Sequence, residues 1–199
     1  FALFTLKALG FGLENLAVIA GGLSVGIGFG MQTIVNNFLS GLILIFSRTL
    51  HEGDVIDVGN LQGVVRKISV RATTVETFDN AIIFVPNSEF VSNRLINWTR
   101  NGRIVRREVA IGVAYGTDPK LVERLLVEVA QSVPQIVRRP QPFVLFMDFA
   151  DSTLNFVLRY WSDIGTATDA ASAIRHRIVE VFAEHQVEIA FPQLDVHVI

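Results

Sequence analysis

The residues able to do chemistry are few and scattered along the chain. Gly26, Gly28 and Gly30 have the spacing of part of a dinucleotide-binding loop. Such a loop needs a strand before it and a helix opening at it, whereas these glycines lie inside an uncharged apolar run. The four histidines, His51, His176, His185 and His197, lack metal-ligand spacing. Asp148 and Asp151 could be imagined as paired carboxylates, but they flank an expected β-turn, where solvated acids are the better reading. There is no cysteine, which excludes disulfides, thiolate metal sites and thiol nucleophiles. No nucleophile elbow or phosphate loop occurs. Arg103, Arg106 and Arg107 form the one basic cluster. It could meet anionic lipid or another polyanion, or be a solvated strand end, which is the favoured reading. The expectation is a protein that is not an enzyme and holds neither cofactor nor metal.

The totals narrow the class further. A net charge of −2 over 199 residues gives no basic footprint for nucleic acid. Hydrophobic residues make up 50% and the mean hydropathy is +0.44, but the excess sits in the first quarter. From Asn15 to Ser47, 33 residues carry no Asp, Glu, Lys or Arg. A helix crosses a bilayer with about 20 apolar residues, so this run can cross and continue. It is too long for a cleaved signal peptide.

The elements follow from periodicity. Residues 1–12 read as the end of a preceding membrane helix and a turn, as expected of an excerpt from a longer, multi-pass protein. Residues 13–48 read as a long helix, with Glu14 near its positive end. Its first part is rich in small residues. Its second part is amphipathic, with Asn36, Asn37 and Ser40 on one side and Ile34, Phe38, Leu42 and Ile45 on the other. A bend near residues 33–37 is expected, with Thr33, Asn36, Asn37 and Gly41 as candidates and the second part near the membrane interface. Arg48 and His51 mark the exit, and a basic residue there favours the cytoplasmic side. Residues 49–101 show short β-rich runs separated by Gly, Asn and Asp, the pattern of a small twisted sheet or barrel. Residues 102–192 follow the order β-α-β-β-α-β of a ferredoxin-like domain, with Asp118-Pro119 opening one helix and Thr166 or Thr168 capping the other. Residues 193–199 alternate as a C-terminal strand. The fold class is thus a membrane α segment joined to soluble α+β domains.

Projected at about 100° per residue, Gly22, Gly26 and Gly30 form one small-residue stripe, and Gly21, Ser24 and Gly28 form a second. One stripe suits a helix dimer; two let each helix touch a neighbour on both sides, as in a closed ring. On the arc between them fall Val25 and Phe29, facing the ring's axis. Apolar side chains on an axis make a constriction that closes by dewetting. Glycine-rich membrane helices also pack in bundles that conduct nothing, and the stripes alone leave both readings open.

Other residues decide between them. Gly28-Phe29-Gly30-Met31-Gln32, Asn37-Phe38-Leu39-Ser40-Gly41, Glu52-Gly53-Asp54-Val55-Ile56, Phe84-Val85-Pro86-Asn87, Leu95-Ile96-Asn97-Trp98, Gly112-Val113-Ala114-Tyr115-Gly116 and Ile189-Ala190-Phe191-Pro192-Gln193 occur in order. Together they resemble the signature of the mechanosensitive channel of small conductance (MscS) family. Within it the chain is most similar to the large, potassium-dependent (MscK-type) members. The resemblance implies a homoheptamer in the bacterial inner membrane, opened by bilayer tension and releasing ions and small solutes on hypo-osmotic shock. It implies a pore-lining helix, an Sm-like β domain and an αβ domain enclosing a cytoplasmic vestibule. Val25 and Phe29 match the family's two constriction positions. The family's frequent hinge glycine is replaced by Thr33, and one constriction residue is Val rather than Leu, which leaves Phe29 as the main seal. The alternative is a membrane-anchored scaffold or non-conducting regulator with an Sm-like domain.

Overall fold

In a computed structural model, residues 13–192 are described. The expected elements in residues 1–12 and 193–199 lie outside them. The described chain divides into two units, with the boundary between Asn97 and Trp98.

The first unit opens with α1 (Leu13–Ser47), helical at every residue. At 1.5 Å per residue its 35 residues reach about 52 Å. Thr33, Asn36, Asn37 and Gly41 all lie inside it. Behind α1 come β1 (Val55–Val58), β2 (Leu61–Ile68), β3 (Ala72–Thr77) and β4 (Ile82–Pro86). A short helix α2 (Asn87–Ser92) and β5 (Leu95–Asn97) complete the unit. The strands form one antiparallel sheet in the order β4-β3-β2-β1-β5. The stretch after Pro86, within residues 49–101 whose sequence shows only short β-rich runs, therefore starts with a turn and a half of helix before β5. Asn80, at φ 63°, turns the β3–β4 hairpin, a conformation that asparagine tolerates better than most residues. The core joins Ile56, Val65 and Val75 of the sheet to Leu44 of α1 and to Leu50 just beyond it. The last turns of the long helix thus belong to the β domain's hydrophobic interior.

The second unit contains β6 (Ile104–Val113), α3 (Pro119–Ser132), β7 (Phe143–Phe149), β8 (Leu154–Asp163) and α4 (Ala167–Glu184). The antiparallel sheet has the order β6-β8-β7. Strict alternation along β8 sends Leu154, Phe156, Leu158 and Tyr160 into a core shared with Val122, Leu125 and Leu126 of α3 and Ile174, Ile178 and Phe182 of α4. The Asp118 side chain accepts the Lys120 backbone N–H, so α3 starts on the cap and proline that the sequence indicates. At α4 the cap differs from expectation. Thr166 makes no side-chain cap bond; instead Asp163 accepts the Gly165 N–H and starts a 3-10 turn (Ile164–Thr166) that leads into the helix. The expected last strand, Val187 to Phe191, is reduced to one antiparallel bridge between Ile189 and Val113, flanked by Ala114 N–H to Glu188 O and Ala190 N–H to Gly112 O. The order is that of a ferredoxin-like sheet with its fourth strand pared to a bridge.

Candidate functional site

No described group of His, Cys, Asp or Glu could hold a metal ion. Several of the scattered polar groups noted in the sequence have local partners, and His197 lies outside the described residues. Asp148 accepts the Asn155 amide N–H at 2.8 Å. His185 Nδ1 lies 2.9 Å from the Val181 carbonyl. The basic cluster is divided: Arg103 forks onto Asp163 at 2.9 and 3.1 Å, Arg107 lies over the Trp98 ring at 5.4 Å, and Arg106 is exposed opposite Trp161 in the ladder. The Arg103 guanidinium, helped by the Gly165 N–H, holds the Asp163 carboxyl below its ordinary value. The Arg66 guanidinium does the same for Glu76 in the β domain. None of these groups converges on a reacting centre.

The distinctive surface is α1. From Ala17 to Ser47 it is long and apolar enough to cross a membrane, with a best-window mean hydropathy of 1.6. Its flanks are uncovered: Phe29 is 75% exposed and Val25 58%. A Cβ built on Gly21, Gly22, Gly26, Gly28 or Gly30 would meet nothing within 4 Å. Both small-residue stripes and the arc between them are open in the single chain. The Ser24 hydroxyl donates to the Ala20 carbonyl at 2.7 Å, so the one polar side chain of the stripes is satisfied within its own helix, as an apolar solvent requires.

The second half of α1 is different, because one side of it is covered. Ser40, Gly41 and Leu44 are buried, with Asn37 partly so. These positions recur at three- and four-residue spacing, so they form one face, and that face lies on the β domain. A Cβ on Gly41 would overlap the Val70 carbonyl oxygen. The structure thus gives Gly41, expected only as a place to bend, the role of letting two backbones touch. The fully buried Asn87 organises the other side. Its Nδ2 donates to the Ser69 and Val70 carbonyls at 2.8 and 3.0 Å, and its Oδ1 accepts from Thr73 Oγ1 at 2.9 Å. One residue on, the Ser88 backbone N–H donates to Asn37 Oδ1 at 3.0 Å, while Asn37 Nδ2 donates to the Thr33 carbonyl at 2.9 Å. An unbroken relay therefore runs from Thr33 through Asn37 to the first turn of α2.

Asn87 entered the sequence reading only as the last residue of the Phe84-Val85-Pro86-Asn87 motif, as a strand end with no further structural role, and Thr73 was not singled out. The available signal was on α1, where Asn37, Ser40 and Gly41 make a small polar patch in the turns before Leu44.

Known proteins share this architecture. The model of the mechanosensitive ion channel β-domain matches residues 33–100, and that of the MscS C-terminal domain matches residues 108–189. The chain belongs to the MscS family. It is 43% identical over 191 residues to an MscS family protein of Haemophilus influenzae, covering 96% of this chain and 17% of that protein. It is 38% identical over 197 residues to the mechanosensitive channel MscK of Escherichia coli, covering 98% of this chain and 18% of MscK. The chain thus spans less than a fifth of these two relatives. The crystal structure of Helicobacter pylori MscS in its closed state superposes with a TM-score of 0.89 at 26% identity, covering 98% of this chain and 77% of that one. The MscS-family fold is present here as an apolar helix, a β domain and an α+β domain.

Proposed function

We propose that this chain is the pore and cytoplasmic part of a channel in the bacterial inner membrane, opened by bilayer tension and releasing ions and small solutes on hypo-osmotic shock. The supporting observation is the state of α1 in one copy. Its apolar flanks are exposed, and its glycines face open space. Lipid and other copies of the helix are the natural cover for such a surface, and a homoheptamer is the assembly the family resemblance implies. In that ring, residues 13–48, α1 and the residue after it, line the pore. Gly22, Gly26 and Gly30 pack against one neighbour, and Gly21, Ser24 and Gly28 against the other. Val25 and Phe29 point to the axis, where Phe29 is the main seal; rings of such side chains expel water and stop current without a mechanical plug. Residues 49–101 and 102–192 form the β and αβ domains on the cytoplasmic side. A bend between Thr33 and Asn37 turns the second half of α1 onto the β domain.

The test is patch-clamp of the full-length protein under graded suction. Wild type should pass current only above a threshold, and Phe29→Ser should leak at rest and slow growth. A Phe29→Ser channel that stays shut at rest and opens at the wild-type tension would remove Phe29 from the seal.

A further inference from the structure

The relay that ties α1 to the β domain also carries a loop to the edge of the uncharged segment. Ser69, Val70 and Arg71 connect β2 to β3, and the Val70 carbonyl lies against Gly41. Counting about 20 residues for a hydrocarbon crossing from the first uncharged position, Asn15, ends at Ile34. Gly41 is seven residues further on, roughly 10 Å along a helix axis, which is headgroup depth. At that depth the loop exposes an apolar side chain beside a cation: Val70 is 47% exposed and Arg71 is exposed. Arg71 makes no ion pair among the described residues, and neither do Arg94, just past α2, or Arg48, at the helix exit. The carboxylate on the neighbouring short helix, Glu89, is exposed and pairs with none of them. The exposed Val91 of α2 adds apolar surface.

We infer that the β2–β3 loop is a lipid-binding site, with Val70 dipping into the interface and Arg71 taking the phosphate of an anionic phospholipid. The occupant follows from charge and depth. An unpaired guanidinium forks onto a phosphate, and an anionic leaflet attracts each such cation. A zwitterionic lipid offers the same phosphate with its charge cancelled, so the site discriminates between headgroups. Because the Val70 carbonyl touches α1 at Gly41, lipid bound there loads the joint between helix and β domain directly. The inference rests on the membrane-spanning reading of α1.

The test uses full-length protein in vesicles, carrying an environment-sensitive fluorophore on Val70→Cys in a background without other cysteines. Brominated phosphatidylglycerol and brominated phosphatidylcholine serve as quenchers. Both should quench, with phosphatidylglycerol preferred about fivefold for one well-placed cation. Arg71→Gln should bring the two lipids to parity, and Arg71→Lys should keep most of the preference. No quenching by either lipid, or an unchanged preference in Arg71→Gln, overturns the site. Patch-clamp of the same labelled protein separates the two readings. A channel that opens under tension with a dark loop defeats only the lipid site, whereas a quenched loop on a protein that never conducts defeats only the channel.

Discussion

At the scale of single residues, glycine serves two different purposes in α1, and the surroundings decide which. At Gly41 the space is already taken by the Val70 backbone. Gly41→Ala would gain helix propensity of about 1 kcal/mol but force two backbones apart, and overpacking of this kind typically costs about 1–3 kcal/mol. We expect a net loosening of the joint, seen as faster amide exchange across residues 69–71 and 87–92 in the full-length protein. At Gly22 and Gly26 the space in one copy is empty, so Val at either position should leave the hydrophobic cores of both units intact. It should raise the opening tension instead, because the added bulk meets the neighbouring helix. An unchanged threshold in excised patches would remove the packing role. Asn87 makes the sharpest case among the buried polar groups. Asn87→Ala strands the Thr73 hydroxyl and the Ser69 and Val70 carbonyls that it pairs. At about 1–3 kcal/mol for each buried group left unsatisfied, exchange in α2 and the β2–β3 loop should accelerate at least tenfold, since each 1.4 kcal/mol is a factor of ten. Asn37→Ala removes one acceptor and should have a smaller effect, confined to the start of α2.

At the scale of elements, what could be read from the sequence was what local pattern encodes. Alternation along Leu154 to Trp161 gives β8, and the Asp118-Pro119 pair gives the start of α3, because both signals act within a few residues. The apolar run gives α1 for the same reason. The misreadings occur where a distant partner decides. Val187 to Phe191 has the composition of a strand, yet only Ile189 finds a bridge partner, on Val113. Asn87 to Ser92 carries no helical periodicity and is too short for propensity to act. Its helix is set from outside, by the buried Asn87 side chain and by Asn37 accepting the Ser88 N–H. The candidate site divides in the same way. Helical projection can relate Val25, Phe29 and the two stripes to one another because they share one helix, whereas the joint needs residues 51 positions apart, Asn37 and Ser88.

At the scale of the whole molecule, the two units have separate hydrophobic cores, so the second should fold without the first. We expect residues 98–192, expressed alone, to unfold in a single cooperative step. An aggregated or unstructured product would show that the core from Val109 to Val187 is insufficient. This fragment also carries a pH test. Arg103 and the Gly165 N–H depress the folded pKa of Asp163, so the stabilisation is present above the unfolded carboxylate value, about 3.9. It is lost as pH falls through the depressed folded value. Wild type should therefore melt slightly above Asp163→Asn at neutral pH, and the gap should close in strong acid. The effect should be small, because the pair is solvent-exposed.

Leu44 and Leu50 have a bearing on biogenesis. They fill the β domain's interior but leave the ribosome ahead of every strand they pack against. On the membrane-spanning reading of α1, the inserted helix waits at the membrane surface holding two pieces of a core whose remainder is still being made. The sheet closes on a template already anchored, and it closes next to the bilayer rather than free in solution. A chain whose helix fails to insert would draw that end of the helix away and leave the β domain short of two core side chains. Failed insertion would then show itself as protease sensitivity between residues 55 and 97, well beyond the helix itself.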